Sequence, residues 1–140
     1  MILGRALMYL LDSNICIFLI RNKTLLLRER IKMYSPSLLH LSVITVAELE
    51  YGAAKSKNPV KEHQAVLDFV SPFKIIDFKP NDAENFGLIR AYLEKKGTPI
   101  GPYDMEIAAQ AMTNNLIVVT NNVGEFERVP WIKVEDWTKE

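Results

Sequence analysis

The stretch ALMYLLDSNICIFLI, from Ala6 to Ile20, carries a single charge, Asp12, among otherwise mostly apolar residues. An ionised carboxylate taken out of water without a partner costs several kcal/mol. Asp12 must therefore stand at an edge, be paired, or hold a cation. LMYLL (7–11) is short, apolar and bounded by Asp-Ser-Asn, which predicts a buried strand. The residues SNICIFLIRN that follow predict a helix capped by Ser13 or Asn14.

The same alternation continues along the chain. LHLSVIT (39–45) predicts a second strand, and TVAELEYGAAKS a helix starting at Thr45. A helix over about 24–34, another over 60–70 and the strand KIIDF (74–78) come next in the pattern. NDAENFGLIRAYLEKKG predicts a long helix from Asn81 to a stop at Gly97. The loop TPIGP leads into the helix YDMEIAAQAMTNN, then the buried strand LIVVT (116–120) and a short last strand WIKV (131–134). Continuous Val/Ile/Leu runs alternating with helices imply strands buried on both faces. The predicted fold is α/β: a three-layer α/β/α sandwich around a parallel sheet.

A chain of 140 residues suits one domain over 1–140, with residues 1–7 a candidate extension because Met8 is a second plausible start. Seventeen basic and seventeen acidic side chains cancel, so any nucleic-acid partner must be met by a local patch. A lone cysteine, Cys16, excludes an internal disulfide and a thiolate metal cluster; among Ile15, Ile17 and Phe18 it reads as core, and a reducing cytoplasm fits. The apolar run after Arg5 is interrupted by Asp12 and is too short to span a bilayer.

In a parallel sheet, ligands bind at the carboxyl ends of the strands. Asp12 closes the first strand, and Glu48 falls in the first turn of the helix after the second. Asp104 opens the helix leading into strand 116–120, and Asn121, Asn122 and Glu125 follow that strand. Each acid has an ordinary structural reading. Thr45 and Glu48 form the pattern of a capping box, Asp104 complements a helix dipole, and Asp12 is a helix cap. Together at one rim they point to a shared purpose. Clustered carboxylates repel unless a cation lies between them, and oxygen-only ligands select a hard ion, Mg²⁺ or Mn²⁺. Such an ion points to phosphoester chemistry, and Asp12 reads as a metal ligand.

Rival chemistries lack their residues. His40 and His63 are more than 20 positions apart without a partner motif, and no G-x-S-x-G elbow accompanies the serines. The segment RNKTLLLRERIK (21–32) holds five basic residues against one acid. It is either a solvated helix face or a rim that supplies the phosphate contacts an acidic pocket would repel.

The motifs YLLDSNICIFLIRNK, ITVAELEYGAAKS, RAYLEKKGTPIGPYDMEIAAQA, LIVVTNNVGEFERVP and the closing VEDW stand in the same order as in one family. Over about residues 8–138, the chain resembles the PIN-domain toxins of VapBC toxin–antitoxin systems. The resemblance implies a Mg²⁺-dependent endoribonuclease, commonly dimeric and neutralised by a VapB antitoxin, with tRNA the target of the most similar subgroup. Residue by residue, it implies catalytic roles for Asp12, Glu48 and Asp104, with Asp12 and Asp104 holding the metal and Glu48 orienting a water. It assigns the fourth acid to Glu125, completing the cluster, with Asn122, where some relatives carry Asp, and Asn14 as secondary candidates. Glu106 stands where relatives usually have an apolar residue, and nothing in the sequence explains it. Two other readings carry specific tests. A binding module without catalysis is favoured if Asn122 breaks the site. A phosphohydrolase of the haloacid dehalogenase type needs a second acid where this chain has Asn14.

Overall fold

A computed structural model describes residues 7–22 and 24–139. Of the candidate extension 1–7 only Leu7 lies among the described residues; it is exposed, and so is Met8, the alternative start.

Five short strands form one sheet: β1 (Tyr9–Leu11), β2 (Leu39–Ser42), β3 (Lys74–Ile76), β4 (Ile117–Val119) and β5 (Lys133–Glu135). Their order is β3-β2-β1-β4-β5, and every pairing is parallel, with Leu10 opposite both His40 and Val118. The helices are α1 (Ser13–Ile20), α2 (Leu25–Lys32), α3 (Val43–Ala54), α4 (Pro59–Val70), α5 (Pro80–Lys96), α6 (Pro102–Asn114) and α7 (Val123–Phe126).

Strand side chains alternate between two cores, as the pleat requires. Tyr9, Leu11, Ile117 and Val119 point to a core closed by Ile15 and Cys16 of α1, Leu27 of α2, Leu49 and Ala53 of α3, and Val66 and Val70 of α4. Leu10 and Val118 point the other way, onto Ile89 and Leu93 of α5 and the Ile107–Ala111 face of α6. The predicted three layers are present, and Cys16 is wholly buried. Burial pushes its thiol well above the ordinary range. The outermost strands each begin with an exposed lysine, Lys74 or Lys133, which discourages edge-to-edge pairing.

The sheet's order explains where a site belongs. The chain lays β1, β2 and β3 outward in one direction, then crosses to the other side of β1 for β4 and β5. The carboxyl ends of β1 and β4 therefore flank the switch point of the sheet, where a crevice opens between helices on opposite faces. Asp12 N–H donates to Val119 O at 3.0 Å, tying the two strand ends together.

Local signals set the helix boundaries, in three places differently from the sequence expectation. Asp12 itself caps α1, accepting from Ile15 N–H at 2.9 Å, so neither Ser13 nor Asn14 is the cap. The strand expected through Thr45 stops at Ser42, whose hydroxyl accepts from Ile44 N–H at 3.0 Å and caps α3. The β-branched run Val43-Ile44-Thr45 reads as strand by propensity alone, and the serine cap overrides it. Glu48 consequently lies in the second turn of α3, and the Thr45–Glu48 capping box does not form. The last strand is Lys133–Glu135 rather than 131–134; Trp131 is outside it and packs edge-on to Tyr92 at 5.1 Å. Gly97 ends α5 in the left-handed conformation (φ 72°), as its position after the last helical turn predicts.

Trp137 closes the first core from the C-terminal side. It stacks on Tyr34 at 4.6 Å and meets Tyr9 edge-on at 4.9 Å, with the Arg30 guanidinium 5.4 Å from its ring centre.

Candidate active site

At the switch point, four acids from four segments approach one cleft. Asp12 leaves β1 and is 3% exposed. Its Oδ1 caps α1, and its Oδ2 accepts from the hydroxyl of Thr120, the residue directly after β4. Thr120 Oγ1 also accepts from Asn122 N–H at 2.8 Å. Burial pushes the Asp12 carboxyl up to about 6; the Thr120 and Ile15 hydrogen bonds oppose this, while the charges of Glu48 and Asp136 add to it. No lysine or arginine pairs with Asp12 among the described residues.

Asp104 stands in the first turn of α6, after Gly101 and Pro102, where the dipole favours an acid. Its carboxyl is nevertheless pushed up to about 7 by burial, by its hydrogen bond with Glu125, and by the charges of Glu125, Asp12 and Glu48. Glu125 responds oppositely. Its bond with Asp104 comes first in lowering it, assisted by the Asn122 amide, Arg128 and the Gly101 N–H. The two carboxyls are thus coupled, Asp104 raised and Glu125 lowered by the bond between them, as expected of two crowded acids without a cation between them.

The structure brings the two candidates for the fourth position, Asn122 and Glu125, together. The Asn122 amide donates to Glu125 Oε2 across one turn, so the two form a unit. Arg128 is not an ion-pair partner of Glu125; its Nη1 donates to Pro99 O at 2.8 Å.

Glu48 reaches the cleft from α3, across from Asp104. Ser13 Oγ donates to Glu48 Oε1 at 2.7 Å and lies 3.1 Å from Thr45 Oγ1. Asp12, Ser13, Asn14, Glu48, Tyr103 and Asp104 line a cleft of about 210 Å³. Glu106 is half-buried beside it; its Oε2 is buried without a hydrogen-bond partner, and burial and the Glu48 charge raise its carboxyl.

The sequence did not single out Ser13 or Thr120 as site residues. Thr120 is the last letter of LIVVT, and its place beside Asp12 follows only once β4 is known to pair with β1. The basic segment contributes less than a rim. No residue of α2 lines the acidic cleft, although Arg21 lines an adjoining cleft of about 430 Å³ that shares Glu48. The histidines lie apart from the site: His40 Nδ1 is 3.2 Å from Tyr9 O, and His63 pairs with Glu50 at 2.8 Å.

The donor set is all oxygen and carries no internal counter-charge, which suits a hard divalent ion. Among the described residues, no three acidic, histidine or cysteine side chains converge to cage an ion by themselves.

Comparisons with known proteins converge on the same fold. The family model described as PIN domain matches residues 9–132. The chain is 47% identical to the tRNA(fMet)-specific endonuclease VapC of Salmonella typhimurium over 131 residues, covering 94% of this chain and 98% of the relative. It is 42% identical to the protein of the same name from Shigella flexneri, covering 94% and 99%. Among solved structures, DNA-bound VapBC from Salmonella typhimurium superposes with a TM-score of 0.89 at 45% identity, covering 94% of this chain and 99% of the other. VapBC2 of Rickettsia felis, bound to a promoter DNA fragment, gives 0.88 at 34% identity, covering 94% and 99%. The chain belongs to the PIN-domain family, among the VapC ribonucleases.

Proposed function

We propose that this protein is a toxin endoribonuclease that hydrolyses phosphodiesters of tRNA and is neutralised by a VapB-like antitoxin. The observation that carries the reading is the meeting of Asp12, Asp104 and Glu125 with Glu48 at the β1/β4 switch point, in a cleft that no basic side chain among the described residues lines. The names of the relatives supply the tRNA class, with initiator tRNA the first substrate to test. Their complexes supply the antitoxin, and any contact with DNA runs through that partner. A homodimer joined to antitoxin, acting in the cytoplasm of a bacterium or archaeon, is the setting this reading entails.

Asp12 and Asp104 are assigned the metal, Mg²⁺ or Mn²⁺. When bound, such an ion supplies Lewis-acid activation of water and neutralises charge on the phosphodiester. Asp12 is fixed in place by the Ile15 N–H and the Thr120 hydroxyl, which would hold its carboxylate in the site as a ligand for the cation. Asp104, hydrogen-bonded to Glu125, would hold the cation together with Asp12, and the charge of the cation would favour the ionised form of both members of that pair. Glu48, held by Ser13, presents a carboxylate oxygen that accepts hydrogen from the attacking water and orients it in line with the scissile bond. Glu125, held by Asn122, completes the negative field opposite Asp12.

A second reading, a PIN module that binds without cutting, is favoured by Asn122 standing where some relatives carry an acid. Expression separates the two. The wild-type protein made alone in a bacterial host should arrest growth, and co-expression of its antitoxin should relieve the arrest. Unimpaired growth with abundant, folded wild-type protein would favour the binding module.

A further inference from the structure

The cleft poses a problem that its carboxylates cannot solve. Asp12, Glu48 and Asp104 line it, no lysine or arginine among the described residues does, and RNA brings phosphates to it. A bound divalent ion offsets part of the repulsion, but it must itself be shared between the carboxylates and the phosphate. Positioning of the nucleotide therefore calls for an attraction that is indifferent to charge. Stacking of a base on an aromatic ring is such an attraction, because every base offers a π-face.

One side chain on the wall of the cleft has that capacity. Tyr103 precedes Asp104 in the first turn of α6, is 54% exposed and lines the same cleft as the three acids. Two other aromatic side chains, Tyr51 and Trp131, are comparably exposed, at 65% and 48%. Each is already engaged: Lys55 Nζ sits 4.7 Å from the centre of the Tyr51 ring, and Trp131 packs against Tyr92. Tyr103 has no aromatic or cationic partner among the described residues. The helix also fixes its relation to the chemistry, since Pro102 holds the first turn of α6 and Tyr103 and Asp104 are consecutive in it.

We infer that Tyr103 is a stacking platform for a base flanking the scissile phosphate, so that substrate placement at this site rests on base stacking rather than on ion pairing. The inference rests on the ribonuclease reading above and assigns that site its nucleotide-positioning residue. It requires an unpaired nucleotide, because a base inside a duplex presents no free face.

The test is a cycle between protein and substrate. A short single-stranded RNA cut by the wild-type protein at one bond is compared with versions carrying one abasic nucleotide on either side of that bond. Wild type, Tyr103→Phe, Tyr103→Trp and Tyr103→Ala are assayed in Mg²⁺, with circular dichroism to verify that each is folded. Tyr103→Ala should raise KM roughly five- to hundredfold on the intact RNA, the range that loss of one base–aromatic stack produces. Tyr103→Phe and Tyr103→Trp should restore wild-type KM. On one of the two abasic RNAs, wild type should lose the same factor, and Tyr103→Ala should lose nothing further. Equal loss by Tyr103→Ala on intact and both abasic RNAs would overturn the assignment, as would Tyr103→Phe behaving like Tyr103→Ala, or Tyr103→Ala behaving like wild type. A folded wild-type protein that cuts no RNA would overturn the ribonuclease reading, and this assignment with it.

Discussion

Asp12→Asn removes one charge from the centre of the site while leaving its shape. In the wild type, burial raises the Asp12 carboxyl from 3.8 to about 6, a shift of about two units, or roughly 3 kcal/mol of ionisation cost at neutral pH. Asparagine keeps both anchors. Its carbonyl oxygen accepts from Ile15 N–H, and its amide donates to a Thr120 hydroxyl that has turned to accept. Exchanging a charged bond for a neutral one gives back about 1 kcal/mol. The metal-free variant should therefore be more stable than wild type by about 2 kcal/mol, or about 5 to 8 °C in Tm for a chain of this size. A carboxyl whose folded pKa is raised contributes its stability below 3.8 and loses it as pH climbs through about 6. The gap in Tm should accordingly be small near pH 4, widen between pH 4 and 6, and be complete above pH 7. Thermal unfolding in EDTA across that range, followed by far-ultraviolet circular dichroism, measures it. Added Mg²⁺ should then raise the Tm of the wild type and not of the variant, because only the former binds the ion in its folded state. A variant that melts below wild type by the same margin at every pH would refute the premise that Asp12 is an uncompensated buried charge.

Glu125→Gln should lower RNA cleavage at least about tenfold at limiting Mg²⁺, equivalent to about 1.4 kcal/mol, with partial rescue at high Mg²⁺; a Mg²⁺ titration of initial rates checks this. Asn122→Ala should do less damage with weaker metal dependence, and the reverse ranking in the same titration would put the fourth acid's role on Asn122. Glu106→Leu should raise the Tm of metal-free protein, because it removes a half-buried carboxylate that faces Glu48 and has one unpartnered oxygen; a lower Tm would mean that Glu106 has a stabilising partner. Trp137→Ala should cost about 3 to 5 kcal/mol by emptying the space against which Tyr9 and Tyr34 pack, read from urea unfolding. The antitoxin should insert a basic side chain, Arg by its fork geometry, among the carboxylates; replacing that residue by Ala should abolish inhibition in a cleavage assay.

The parts of the fold legible in the sequence were those set by local composition. The runs YLL, LHL and IVV are buried on both faces because helices cover the sheet on both sides. Their apolar continuity therefore announced a parallel sheet and placed Asp12 and Asp104 at its carboxyl rim. Helix starts were less legible where two local signals competed. Ser42 caps α3 against the strand preference of the three residues after it, and this moved Glu48 from the first turn to the second. Asp12 was both cap and site residue, two readings that the sequence presented as alternatives. Contacts across long separations were not legible at all. Thr120 reaches Asp12 over 108 positions, and Ser13 reaches Glu48 over 35, each through the stacking of whole elements rather than any spacing in the chain. Tyr103 passed as an ordinary helix residue because its free ring face shows only when the surrounding surface is known.

Incubation of the purified protein with bulk tRNA, followed by mapping of the new RNA ends, tests the central claim most directly. Four conditions suffice: wild type in Mg²⁺, wild type in excess EDTA, Asp104→Asn in Mg²⁺, and Asp12→Asn in Mg²⁺, all purified identically. The account predicts discrete cleavage by wild type in Mg²⁺ and none in the other three, with both variants folded. Equal cleavage by either variant or in EDTA, or none by folded wild type in Mg²⁺, would contradict it.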